Sequence, residues 1–164
     1  MIEKVSIICD LSGSMAEGGK RFIVRYIVRT IEQYFRLGHM NSIPIKLIAW
    51  SDSAQVIDWT PLKEDVPSRL LECKGSAEAE PLIELLGYPK GELLILLTDG
   101  YWSMKTENSI IQWNEKLGSE SLLIVKAGSD TNSLKLKDVY IFSSDELFKA
   151  LDYRSGNGQS GNLA

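Results

Sequence analysis

Val5-Ser6-Ile7-Ile8-Cys9-Asp10-Leu11-Ser12-Gly13-Ser14-Met15 is the stretch that fixes the fold. Its first five residues are apolar but for one serine, as a buried strand requires. The loop that follows carries a carboxylate and two hydroxyls at alternate positions, Asp10, Ser12 and Ser14. In open α/β sheets ligands bind outside the carboxyl ends of the strands. Small oxygen donors on this spacing suit a hard cation such as Mg²⁺ rather than a soft one.

Outward from that stretch, strands and helices alternate. Lys20–Leu37 reads as a long helix with an apolar stripe at Phe22, Ile23, Tyr26, Ile27, Ile31 and Tyr34, closed by Gly38. Ile43–Trp50 and Gln55–Trp59 read as strands. Only Ser51-Asp52-Ser53-Ala54 separates them, too short for a crossover, so this pair must be antiparallel. A short helical segment between Pro61 and Glu72 and another at Pro81–Leu86 follow. Leu93–Leu97 is uninterrupted apolar sequence, the mark of a central strand covered on both faces. Asn108–Leu117 reads as a helix, Leu122–Val125 and Val139–Phe142 as strands. Ser143-Ser144-Asp145-Glu146 reads as a capping box ahead of a last helix, Asp145–Tyr153. These connection lengths give an α/β fold, doubly wound around a mostly parallel sheet, with one antiparallel strand near an edge. Residues 1–153 form the domain, and the Gly-, Ser- and Asn-rich 154–164 is expected to be a flexible tail.

Three loops carry the chemistry. Beside Asp10, Ser12 and Ser14 stand Lys74-Gly75-Ser76-Ala77 and, directly after the central strand, Thr98-Asp99-Gly100. The first and fourth strands are expected to be neighbours, which would set their loops side by side. The D-x-S-x-S spacing, joined to Leu-Leu-Thr98-Asp99-Gly100 after a second buried strand, resembles the von Willebrand factor A family and its metal-ion-dependent adhesion site. The resemblance runs over nearly the whole chain. It implies that Ser12 and Ser14 coordinate the metal directly, and that Asp10 and Asp99 act mostly through water. A middle-loop hydroxyl, here Ser76 where the family usually has threonine, would complete the set. Serine keeps the hydroxyl but lacks the methyl that stiffens χ1. The ion implied is Mg²⁺, with Mn²⁺ or Ca²⁺ as alternatives. Because hydroxyls leave much of its charge uncompensated, a partner protein's Glu or Asp could replace one water on it. Family relatives inside cells often work beside AAA+ ATPases or with kinases and phosphatases in bacteria.

Composition agrees with a single folded domain. The 164 residues are 44% hydrophobic and 24% charged, with a net charge of −4, which speaks against nucleic acid as the main partner. No apolar run approaches the ~20 residues of a membrane span. The acidic start leads straight into a strand, so no signal peptide is expected. Cys9 and Cys73 are too few for a disulfide framework or a structural zinc site and read as reduced thiols of a cytoplasmic protein.

Other signals are weaker. Gly13 to Lys20 imitates a phosphate-binding loop, but the spacing is one residue too long, and Arg21 stands where Ser or Thr should be. His39 is the only histidine and lies at the end of the long helix, away from the strand-end loops, so a Ser-His-Asp triad is not expected. Arg21, Arg25 and Arg29 read as a solvated helix face rather than a docking strip. Tyr101 and Trp102 either anchor a partner at the rim of the site or tuck beneath the loop. Asp52 reads as a turn residue. The expectation is a binding module, not an enzyme. The alternatives are a metal-dependent phosphohydrolase or nucleotide-binding enzyme using the same loops, and a scaffold that binds without metal.

Overall fold

The computed structural model describes residues 2–38, 43–118, 120–128 and 139–155. Among these residues six strands form one sheet: β1 (Lys4–Asp10), β2 (Ile45–Trp50), β3 (Ala54–Ile57), β4 (Glu92–Thr98), β5 (Leu122–Lys126) and β6 (Tyr140–Ser143). Their order is β3-β2-β1-β4-β5-β6, parallel except for the edge pair β2–β3. The antiparallel edge expected from the four-residue gap is present, and β1 and β4 are neighbours. Among the described residues four α-helices pack on the sheet: α1 (Lys20–Leu37), α2 (Ala79–Leu86), α3 (Met104–Lys116) and α4 (Leu147–Ser155).

The apolar strands feed two cores, because alternate side chains face opposite sides of a sheet. Val5, Ile7 and Cys9 of β1 with Leu93, Ile95 and Leu97 of β4 pack under α1 and α4. Ile8, Leu94 and Leu96 pack under α2 and α3, around Trp113. The Trp113 indole donates to the Gly87 carbonyl at 2.8 Å, which ties α3 to the end of α2. Ser6, the polar residue inside β1, is fully buried and donates to Glu92 on the neighbouring strand. Tyr34 of α1 donates to Asp152 of α4 at 2.7 Å. Among the described residues no helix is long and apolar enough to cross a membrane.

Several boundaries and one face differ from the sequence reading. The buried side of α1 is Val24, Ile27, Val28, Ile31 and Phe35, while Phe22 and Tyr26 are exposed. The helix carries two adjoining apolar stripes, and the direction in which it crosses the sheet selects one. Phe22 instead lies against the Arg21 guanidinium, 5.2 Å from the ring centre. The segment between Pro61 and Glu72 holds only a 3₁₀ turn, Ser68–Leu71, since Pro67 precludes a longer helix through it. α3 starts four residues earlier than the apolar pattern shows. Its N-cap, Ser103, accepts from the Thr106 N–H at 3.1 Å, and its first two residues, Met104 and Lys105, are exposed. The capping box before α4 does not close: Ser143 Oγ bonds the Glu146 carboxylate at 3.0 Å, and a 3₁₀ turn, Ser144–Glu146, precedes the helix. α4 runs on to Ser155. The rest of the expected tail, and His39, lie outside the described residues.

Candidate metal centre

β1 hands the chain to one side of the sheet and β4 hands it to the other. The crevice between their carboxyl ends is therefore the topological switch point, where this architecture opens a binding site. Register places the two loops together. Cys9 lies opposite Leu97, so the next residues, Asp10 and Thr98, end the two strands side by side. The middle loop is drawn in by the backbone, with Gly13 N–H donating to the Gly75 carbonyl at 2.8 Å and Lys74 N–H to the Leu11 carbonyl at 2.8 Å. Gly75 has φ +80°, and a Cβ there would come within 3.3 Å of the Asp52 carboxylate. Asp52 is thus packed against the middle loop as well as sitting in its turn.

Asp10 is fully buried and is saturated by donors. Its Oδ1 accepts from Ser12 N at 2.9 Å and Ser12 Oγ at 2.6 Å. Its Oδ2 accepts from Thr98 Oγ1 at 2.6 Å and the Trp102 indole at 3.2 Å. A carboxylate offers about four acceptor sites, so these four bonds leave Asp10 little to offer a metal directly. It acts as the orienter of the loop. Burial raises its pKa from the ordinary aspartate value, against the bonds from Ser12 and Thr98 that lower it. Asp99, also fully buried, accepts from Tyr101 N at 3.1 Å and from Lys20 Nζ at 3.1 Å.

Ser12, Ser14 and Ser76 line one cleft of about 230 Å³, together with Gly13, Gly75, Ala77, Glu78, Tyr101 and Ser103. Ser12 spends its one proton on Asp10, which leaves its lone pairs for another ligand. Ser14 Oγ is buried with no hydrogen-bond partner among the described residues. A buried hydroxyl without a partner carries a desolvation cost that a cation in the cleft would offset. The donor set fits a hard divalent ion. Among the described residues no group of three or more His, Cys, Asp or Glu forms an alternative cage.

The two rim aromatics part company. Trp102 turns inward, edge-on to Trp50 at 5.8 Å between ring centres, and its indole N–H is used by Asp10. Tyr101 stays about half exposed on the lip of the cleft. Arg25 and Arg29 both pair with Asp65, at 2.8 Å for Arg25, so the arginine face of α1 grips the 60s loop. Sequence reasoning missed Lys20. It considered that residue only as part of a failed phosphate loop, because the partner Asp99 lies 79 residues away. It also gave Thr98 no role beyond membership of its loop; the signal available was its position beside Asp10 at the ends of adjacent strands.

No protein-family model matches the chain, and no curated protein matches it. Solved structures do. Proximal thread matrix protein 1 from the mussel byssus, with a zinc-occupied MIDAS motif, superposes at TM-score 0.59 and 17% identity, covering 94% of this chain and 45% of that one. A von Willebrand factor type A protein from Catenulispora acidiphila gives 0.55 and 17%, over 94% and 42%. The Ro protein of Deinococcus radiodurans gives 0.57 and 14%, over 94% and 34%. The chain spans less than half the length of each of these, and identities so low speak for fold alone. Strand order, the antiparallel edge and these superpositions agree that this chain has the von Willebrand factor A fold.

Proposed function

We propose that this domain binds another protein through a divalent cation, Mg²⁺ in the first instance, held in the cleft by Ser12, Ser14 and Ser76 and oriented by Asp10 and Asp99. The observation that carries this reading is the Ser14 hydroxyl, buried without a partner among the described residues where three loops meet. A hydroxyl-rich shell neutralises little of the ion's charge, and the ion when bound supplies an electrophilic position for a partner's Asp or Glu. The zinc-occupied MIDAS motif of the mussel protein, which shares this fold, supports a divalent ion as the ligand. Tyr101, on the lip, supplies apolar contact area. The site works as a binding module rather than an enzyme. Its partner is a protein of a multiprotein system in the cytoplasm, of the AAA+ ATPase or kinase and phosphatase kind, and neither nucleic acid nor a membrane.

Calorimetric titration with Mg²⁺ and Mn²⁺ tests the site. Wild type should bind one ion. Ser14→Ala should bind more weakly, and Asp10→Ala should lose about 10–100-fold as the orienting group goes. Capture of a partner from lysate should require Mg²⁺ and fail in chelator. Absence of binding by either ion, or Mg²⁺-dependent turnover of phosphate esters at this site, would overturn the reading.

A further inference from the structure

Lys20 is buried, at 3% exposure, behind the loops that form the same site. Its ammonium lies 3.1 Å from Asp99 Oδ2, 3.5 Å from the Ser14 carbonyl and 5.0 Å from the centre of the Tyr101 ring. Its stem passes over Gly128, in the loop after β5. There φ is +91°, and a Cβ would come within 3.2 Å of Lys20 Cγ. One side chain thus touches loops that follow three different strands. A buried lysine is costly unless a carboxylate faces it, and here that carboxylate is one that the metal reading needs.

We infer that Lys20 is a resident counter-ion of the metal centre: it neutralises Asp99 and holds the loops in place when no metal is bound, and it competes electrostatically with the metal when one arrives. The inference rests on the metal-binding reading above and sharpens it. Lys20 sets a positive charge against Asp99 before any ion enters. A divalent ion and the ammonium then draw on the same carboxylate in a water-poor site, where like charges repel more strongly than in solution. The consequence is a weaker metal site whose occupancy responds to changes in ion concentration, on a fold that stays assembled without the ion.

The test compares wild type, Lys20→Met and the double variant Lys20→Met/Asp99→Asn, as full chains, by Mn²⁺ and Mg²⁺ calorimetry and by thermal melting in chelator and in Mn²⁺. Methionine keeps most of the stem and removes the charge. Lys20→Met is expected to bind Mn²⁺ at least about tenfold more tightly than wild type. It should melt lower in chelator, where Asp99 is left buried and unpaired, and recover in Mn²⁺. The double variant should regain stability in chelator and lose the tighter binding of Lys20→Met. If Lys20→Met does not fold in chelator, recovery by the double variant still supports the counter-ion role, and failure of both to fold overturns it. Wild type that binds metal while Lys20→Met binds it equally or less tightly overturns the inference and leaves the metal reading standing. No binding by any variant ends both.

Discussion

At the scale of single residues, the centre is a contest between burial and partners. Asp10 is taken fully out of water and remains viable because four donors surround it. Thr98→Val keeps the shape and removes one of those donors. It should cost about 1–3 kcal/mol, since the acceptor left behind is buried, and it should weaken metal binding in the same calorimetric assay. The two thiols offer a second readout. Burial pushes the pKa of Cys9 far up from the usual thiol range, and raises that of the partly exposed Cys73 as well. Thiolate is the reactive form. Alkylation of the native protein at mildly alkaline pH should therefore label Cys73 slowly and leave Cys9 unlabelled until the protein unfolds, as mass spectrometry would show.

At the scale of elements, α1 is held by its buried stripe on one side and by a charge clasp on the other. Arg25 and Arg29 meet on Asp65, whose pKa is lowered chiefly by the Val66 N–H, at 2.7 Å, and then by Arg29. A folded-state pKa below the unfolded value means stability that is present above the ordinary aspartate range and lost as pH falls through the folded value. Asp65→Asn should thus lower the urea midpoint slightly at neutral pH, and the gap from wild type should close in strong acid and shrink in high salt. The N-terminus of α3 depends on a single side chain, Ser103. Ser103→Ala should cost about 1 kcal/mol by urea unfolding; no change would mean that water caps the helix equally well.

At the scale of the whole molecule, two cores share one sheet, so damage on one face reaches the site on the rim. Trp113 is the largest side chain fully buried between α3 and the sheet, apart from Trp50, and it also anchors Gly87. Trp113→Ala should cost about 3–5 kcal/mol. Trp50, in the same core, packs against Trp102, and Trp102 bonds Asp10. Repacking on that face should therefore weaken metal binding as well as stability. A Trp113→Ala protein with unchanged metal affinity would show that the two are uncoupled.

Much of this was legible in the chain. Patterns confined to one segment give themselves away: Leu93–Leu97 could only be a strand covered on both faces, the four-residue gap after Trp50 could only join antiparallel neighbours, and Lys20–Leu37 has the length and period of a helix. The positions of Asp10, Ser12 and Ser14 at a strand's carboxyl end followed from the same local reading. Tertiary structure decided what depends on residues distant in sequence. It chose which stripe of α1 faces the sheet, turned Trp102 inward and Tyr101 outward, and set Lys20 against Asp99. Periodicity and connection length act along the backbone, where neighbours are known. Which charge meets which carboxylate depends on how separate strands and helices come to lie together, and no local pattern carries that.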